Sequence, residues 1–248
     1  MSADRWTQAV RHQLGLGRLV PLGGPRDGCW LAESAGRSAL RQAVQSVPGV
    51  RLGNLRIELA DPEGSYESAV PAPPSALPPG PLRIVAECAA APDEPLPTAA
   101  SRLRAALNGA ASDRLGLTVA EVDLRVTALL DDSAQAQPAS GDAQADVADG
   151  EQAKGDTDEG RAARAALSVP GVARLTGSLG GLGRAVHIGE RSEGAATLPR
   201  RHVRIELAVS GGRRVLDVAR DVRTAVTGAL ADDPSVAVLV TAVQWPFW

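Results

Sequence analysis

Aromatic side chains are scarce in this chain: four tryptophans, one tyrosine and one phenylalanine make up 2% of 248 residues. Stacked rings therefore cannot dominate its packing, and the core must be built from Ala, Val, Leu and Ile. Lysine is scarcer still: Lys154 is the only one, and arginine supplies the rest of the positive charge. There are two cysteines, Cys29 and Cys88, without a C-x-x-C spacing. That excludes the dense disulfide framework of small secreted domains. Cys88 falls in an apolar strand pattern and reads as a reduced, buried thiol. No run approaches about 18 apolar residues, so no segment reads as a membrane span. The first residues, Met1 to Trp6, lack the apolar stretch of a signal peptide. The expectation is a cytoplasmic protein.

The motifs of chemistry are missing as well. His12, His187 and His202 have no paired spacing suited to a metal. No nucleophile and base stand together in a known pattern. Gly177 to Gly183 is glycine-rich but lacks the Lys-Ser/Thr ending of a phosphate-binding loop, and it reads as a turn between strands. Asp131-Asp132 and Asp232-Asp233 read as solvated turn acids. No catalytic residue, cofactor or metal ligand is expected, and the chain reads as a non-enzyme.

What is present is internal repetition. Val47-Pro48-Gly49-Val50 recurs as Val169-Pro170-Gly171-Val172. Arg83-Ile84 begins 36 residues after Val47, and Arg204-Ile205 begins 35 residues after Val169. Val126-Thr127-Ala128-Leu129 is answered by Val240-Thr241-Ala242-Val243. The identical pentapeptides at Arg56–Ala60 and Arg204–Ala208 break this spacing, so Arg83-Ile84 is taken as the partner of Arg204-Ile205.

Periodicity fills in the elements. Ala39, Leu40, Ala43, Val44 and Val47 form a helical stripe over about 34–46, with Ser34 as its N-cap. Pro48 and Gly49 stop that helix. Strands follow at about 50–59, from Leu82 to Cys88, and at about 119–126, with a helix over about 98–113. The second half repeats the order, with a helix at about 158–168 and strands at about 172–175, 184–189 and 202–209. A long amphipathic helix at about 214–230 and a strand at about 236–243 complete it. The fold class is α+β: two tandem copies of a helix-strand-strand-helix-strand domain, each with its helices on one face of a three-stranded sheet. Seven prolines between 62 and 81 predict an extended, stiff loop outside the core.

Charge separates the parts. Residues 131–159 hold nine acids and one lysine, a charge of −8, which leaves +5 for the rest of a chain whose total is −3. The predicted organisation is an N-terminal extension (1–27) and a first domain (28–130). An acidic disordered linker (131–157), a second domain (158–244) and an aromatic tail (245–248) follow. The final strand is apolar on both faces, with Val236, Val238 and Val240 on one and Ala237, Leu239 and Val243 on the other. It needs a second cover, from the other copy, another subunit or the N-terminal extension. Four of the six aromatics lie near a terminus. Trp6, Val10 and Leu14 fall on one face of a short basic amphipathic segment, and Trp245, Phe247 and Trp248 end the chain. These six are the candidate contacts for a partner or a membrane surface.

The two Val-Pro-Gly-Val helix ends, the Val/Ala-rich helix at 214–230 and the closing strands 121–126 and 236–240 together resemble the alkaline shock protein family of Gram-positive cell-envelope stress proteins. The resemblance covers about 34–130 and 158–243, and its tandem form is similar to an actinomycete relative. It implies a non-catalytic cytoplasmic scaffold that self-associates. It also implies docking to a small membrane-anchoring protein or a family paralogue, with peripheral contact at the inner face of the cell membrane. The alternative is a KH-like RNA-binding protein, for which Arg56, Arg83, Arg125 and Arg204 sit on outward strand positions. Those strands carry no aromatic platform for stacking bases, which disfavours nucleic acid.

Overall fold

The computed structural model describes residues 15–130, 156–178, 184–191 and 200–244. The elements in chain order begin with β1 (Leu19–Pro21), β2 (Cys29–Ala32) and α1 (Glu33–Val44). Next come β3 (Val50–Leu59), β4 (Leu82–Ala90), α2 (Leu96–Gly109) and β5 (Val119–Leu129). The second half holds α3 (Asp158–Leu167), β6 (Val172–Leu175), β7 (Val186–Arg191), β8 (Arg200–Ser210), α4 (Val215–Ala229) and β9 (Ser235–Gln244). The protein is α+β, with two sheets. One has three strands in the order β3-β4-β5. The other has six, in the order β1-β2-β9-β8-β6, with β7 also paired to β8.

The second sheet is larger than the three strands expected, because the N-terminal segment joins it. β2 pairs in parallel with β9, placing Cys29 opposite Val238, Trp30 opposite Leu239 and Leu31 opposite Val240. The Val238 N–H donates to the Gly28 carbonyl at 3.0 Å. Residues 29–32 thus lie in the sheet of the second half, although the sequence groups them with the first. The doubly apolar β9 is thereby an interior strand, flanked in its plane by β2 and β8 and packed against both α4 and α1. Its cover comes from within the chain.

The helix that follows β2 carries this arrangement to the other sheet. α1 starts at Glu33 with Ala32 as its N-cap and no capping side chain, so Ser34 does not take the role expected of it. The Glu33 side chain accepts from the Ile57 N–H of β3 at 3.3 Å, and Arg18 donates to the Ile57 carbonyl at 3.1 Å. Gly36 sits between Ile57 and Leu31, where even a Cβ would press on both at 3.1 and 3.3 Å. α1 therefore bridges the two sheets, and the buried apolar residues of both halves form one continuous cluster.

Two further segments seal the join. The end of α2 widens into a π-type segment, Ala110–Leu115, closed by Gly116 at φ +89°. A Cβ at Gly116 would meet Leu216 Cβ at 2.4 Å, and Arg214 donates to the Ser112 carbonyl at 3.0 Å. The proline-rich stretch is the second seal, and it departs from the expected loop outside the core. Val70, Pro73 and Pro79 are buried. Leu77 N–H donates to the Leu19 carbonyl at 2.8 Å, and Trp30 Nε1 donates to the Leu77 carbonyl at 3.3 Å. Stiff backbone with few free N–H groups lies well across an apolar sheet face, since it brings little unmet hydrogen bonding with it.

The hairpin loop between β1 and β2 is pinned to α4. Asp27 takes two bonds from Arg220, at 2.8 and 3.0 Å, and one from the Gly24 N–H at 2.7 Å. Burial alone would raise its pKa, but the Arg220 guanidinium and the Gly24 N–H hold it below the usual carboxylate range.

The two sheets share details of bonding. In both, Val-Pro-Gly-Val ends a helix with glycine at positive φ: +68° at Gly49 and +101° at Gly171. The Gly49 carbonyl accepts from Ala91 N–H and the Gly171 carbonyl from Ser210 N–H, each at 2.8 Å. The Pro48 carbonyl accepts from Arg102 and the Pro170 carbonyl from Arg213, each at 2.8 Å. Arg102 is paired with Glu94 and Arg213 with Asp221, so acid and base exchange places along the chain. Each central strand meets its parallel neighbour with a bulge at a threonine. Thr127 Oγ1 donates to the Cys88 carbonyl at 3.4 Å, and Thr241 Oγ1 to the Leu207 carbonyl at 3.2 Å.

Trp30 is 1% exposed and lies where β2, β9 and the proline-rich segment meet. Trp30→Ala should lower stability by about 3–5 kcal/mol, read as a lower urea midpoint at unchanged slope.

Candidate functional site

Two features lie outside what packing alone explains. The first is a buried polar group on β8. Strand alternation puts Arg204 and Glu206 on the face opposite Val203, Ile205 and Leu207. Glu206 shares that face with Leu239 and Trp30, its neighbours across the sheet. It is fully buried. Its Oε2 accepts from the Ser178 N–H at 2.8 Å, while Arg204 Nε and His187 Nε2 stand 3.8 and 4.0 Å from Oε1. Thr176 and Thr241 join through their hydroxyls at 2.7 Å. Thr176 N–H donates to the Glu206 carbonyl and Glu206 N–H to the Ala185 carbonyl, both at 2.9 Å.

The location explains the cluster. β3 runs along the whole of β4, but the matching edge of β8 is divided between β6 and β7. β6 ends at Leu175 and β7 begins at Val186, and the Glu206 carboxylate holds the backbone just beyond β6 at Ser178. In this arrangement the enclosed carboxylate braces the chain just beyond β6 against β8. The imidazole beside it is biased toward its neutral form. Burial pushes the His187 pKa down and the charges of Arg204 and Arg184 add to this, while the bond to the Arg184 carbonyl opposes it. Glu206 would also favour the proton at 4.0 Å, but Arg204 is closer to the same oxygen and offsets it. The thiols are held in their protonated form. Burial pushes Cys29 up to about 12, and it raises Cys88 as well. Among the described residues no group of three or more His, Cys, Asp or Glu side chains is placed to hold a metal.

The second feature is the free edge of the smaller sheet. β5 has 11 residues and, among the described residues, pairs only with β4. The corresponding edge of β9 is occupied by β2. Exposure follows: Val240 and Val243 are 0% and 6% exposed, whereas Val126 and Leu129 are 39% and 59% exposed. The opposite edge of this sheet, β3, is protected. Glu33 and Arg18 bond both main-chain groups of Ile57, and Arg41 donates to the Gly53 carbonyl at 3.1 Å.

The residues expected to contact a partner, Trp6, Val10, Leu14, Trp245, Phe247 and Trp248, all lie outside the described residues, as do residues 131–155 of the 131–157 linker. Two of the four strand arginines are engaged within their sheets. Arg83 pairs with Glu121 at 2.7 Å and lies 3.5 Å from Asp123, and Arg204 is drawn to Glu206. The open edge was missed from sequence because it is defined by β2, a four-residue run whose partner is some 200 residues away.

His187 gives the site a pH signature. Its folded-state pKa lies below the unfolded value near 6.5, so the folded protein binds fewer protons there. Stability should therefore fall as pH drops from about 6.5 through the lower folded-state value. Urea melts at about pH 7.5 and about pH 5.5 should show this loss, and His187→Gln should reduce it.

No family model matches this chain, and no curated protein is significantly similar to it.

Proposed function

We propose that this protein is a non-catalytic interaction scaffold that self-associates, built from two related units. The observation that carries the reading is the unequal treatment of two corresponding strand edges. β9 is completed by a strand added from elsewhere in the chain, whereas the outer edge of the 11-residue β5 is met by no described strand, and the Arg104 side chain bonds its Val122 carbonyl. Long edges without a neighbouring strand are avoided unless they serve as binding surfaces, because they pair with any available strand.

The shared bond pattern supports the two-unit reading: the glycine turns, the proline carbonyls bonded by arginine and the threonine bulges recur in order. It also refines the internal alignment. Matching Val126 with Val240 through the bulges sets Ile84 against Val203 rather than Ile205. The strand equivalence taken from spacing is kept, but its register moves by two residues, which leaves every side chain on the same face.

The resemblance to alkaline shock proteins fits such a scaffold. On this reading the protein is cytoplasmic and acts in cell-envelope homeostasis, docked to a small membrane-anchoring partner through the aromatic residues of its termini. No helix among the described residues is long and apolar enough to cross a membrane, and the attachment is peripheral. Sedimentation velocity over about 1–100 µM should show a species heavier than the monomer that grows with concentration. A strict monomer that also fails to pellet with anionic vesicles carrying native membrane proteins would contradict the scaffold reading.

A further inference from the structure

We infer that the open edge of β5 is occupied by β5 of a second copy, running antiparallel about a two-fold axis through Leu124. The inference rests on the scaffold reading and names its contact surface.

The strand is complementary to its own reverse. Let Leu124 face Leu124 of the second copy. Val122 then faces Val126, Asp123 faces Arg125, Glu121 faces Thr127, and Val119 faces Leu129. Every apolar residue of the helix-covered face meets an apolar residue. The one charged pair directly across the axis joins opposite signs, and the symmetry makes it twice. A shift of one residue would set apolar against charged positions along the whole strand, so the register is specified. The central stretch Glu121–Val126 pairs with β4 without irregularity, and the ladder shifts lie on either side of it. A regular strand can extend a sheet there. A two-fold contact of this kind uses the same patch on both copies and closes on itself.

Solvent exposure points to the same surface. Val126 and Leu129, two of the five large hydrophobics that are exposed among the described residues, lie on β5. Arg125 and Asp123 are exposed on the other face. Within the sheet Asp123 stands 3.5 Å from Arg83, which is more tightly paired with Glu121 at 2.7 Å, and Arg125 lies opposite Glu87 of β4; both would meet their opposite charge on the second copy as well. Arg104 of α2 donates to the Val122 carbonyl at 3.2 Å, a bond the incoming strand would share or displace. The product is a continuous sheet β3-β4-β5 joined to β5-β4-β3 of the second copy, with both outer edges protected by the Ile57 and Gly53 bonds described above.

Charge reversal tests this directly on the full chain, by light scattering and sedimentation, with far-ultraviolet circular dichroism as a check on folding. Wild type should dimerise. Asp123→Arg sets arginine against Arg125 twice, and Arg125→Asp sets aspartate against Asp123 twice. Each should weaken the dimer at least about tenfold. Mixing the two single variants in equal amounts should restore a dimer, because each then meets its complement. The double reversal D123R/R125D should dimerise like wild type. Three outcomes would overturn the inference. If wild type self-associates but ignores both reversals, another surface is used and the scaffold reading stands. If it is a monomer that still binds the membrane fraction, the occupant of the edge is not a second copy. If it is a monomer whose β5 amides resist hydrogen exchange, the edge is covered by the chain itself.

Discussion

The parallel pairing of β2 with β9 is the constraint on which the rest of the structure depends. β9 is apolar on both faces, and a strand of that kind is stable only in the interior of a sheet with both faces covered. β8 lies on one side, and β2 supplies the other. The consequence reaches beyond the sheet. α1 begins at the residue after β2, so placing β2 beside β9 also places α1 between the sheets, where Glu33 and Gly36 reach Ile57. Trp30, on the opposite face, draws the proline-rich segment over it through the bond to Leu77. Asp27 ties the same hairpin to α4. This exposed ion pair contributes about 1 kcal/mol or less. Burial of Leu31, Trp30 and their neighbours on β9 contributes more, at about 1.5–3 kcal/mol for each large side chain.

Much of this was legible in the sequence where the pattern is local. The strand at Val50–Leu59 is found with the predicted bounds, because Leu55, Ile57 and Leu59 alternate cleanly with charged residues. The helix from Val215 to Ala229 follows its valine and alanine stripe. The two apolar faces of β9 announced that a cover was needed. The cover itself was not legible, since Cys29-Trp30-Leu31-Ala32 is too short to show a period and its partner is distant. The buried part of the proline-rich segment was hidden for a related reason: composition reports stiffness and leaves open what the stiff chain lies against. Glu206 alternates like its charged neighbours, so its pattern gave its face correctly. Burial of that face comes from residues 176–178 and the rest of the fold, which no strand periodicity encodes.

The two halves resemble one another in their turns, bulges and carbonyl bonds, yet their outer edges have opposite fates. In the second half the edge is consumed in joining the N-terminal hairpin, and the result is one core spanning both sheets. In the first half no described strand pairs with the corresponding edge, which carries a self-complementary row of side chains. One bonding mode, addition of a strand, thus accounts for internal cohesion at β9 and for the proposed assembly at β5. Among the described residues, the buried Glu206 and the partly exposed His187 serve to hold neighbouring segments of the second sheet together.

Native-state hydrogen exchange along the chain tests the central claim most directly, that β2 is an integral strand of the second sheet and fuses the two halves. Amides of β2, β8, β9 and α1 should exchange through the same global opening, with one free energy and one denaturant dependence. Faster exchange of β2 and α1 through a separate opening, with β8 and β9 still protected, would contradict the account.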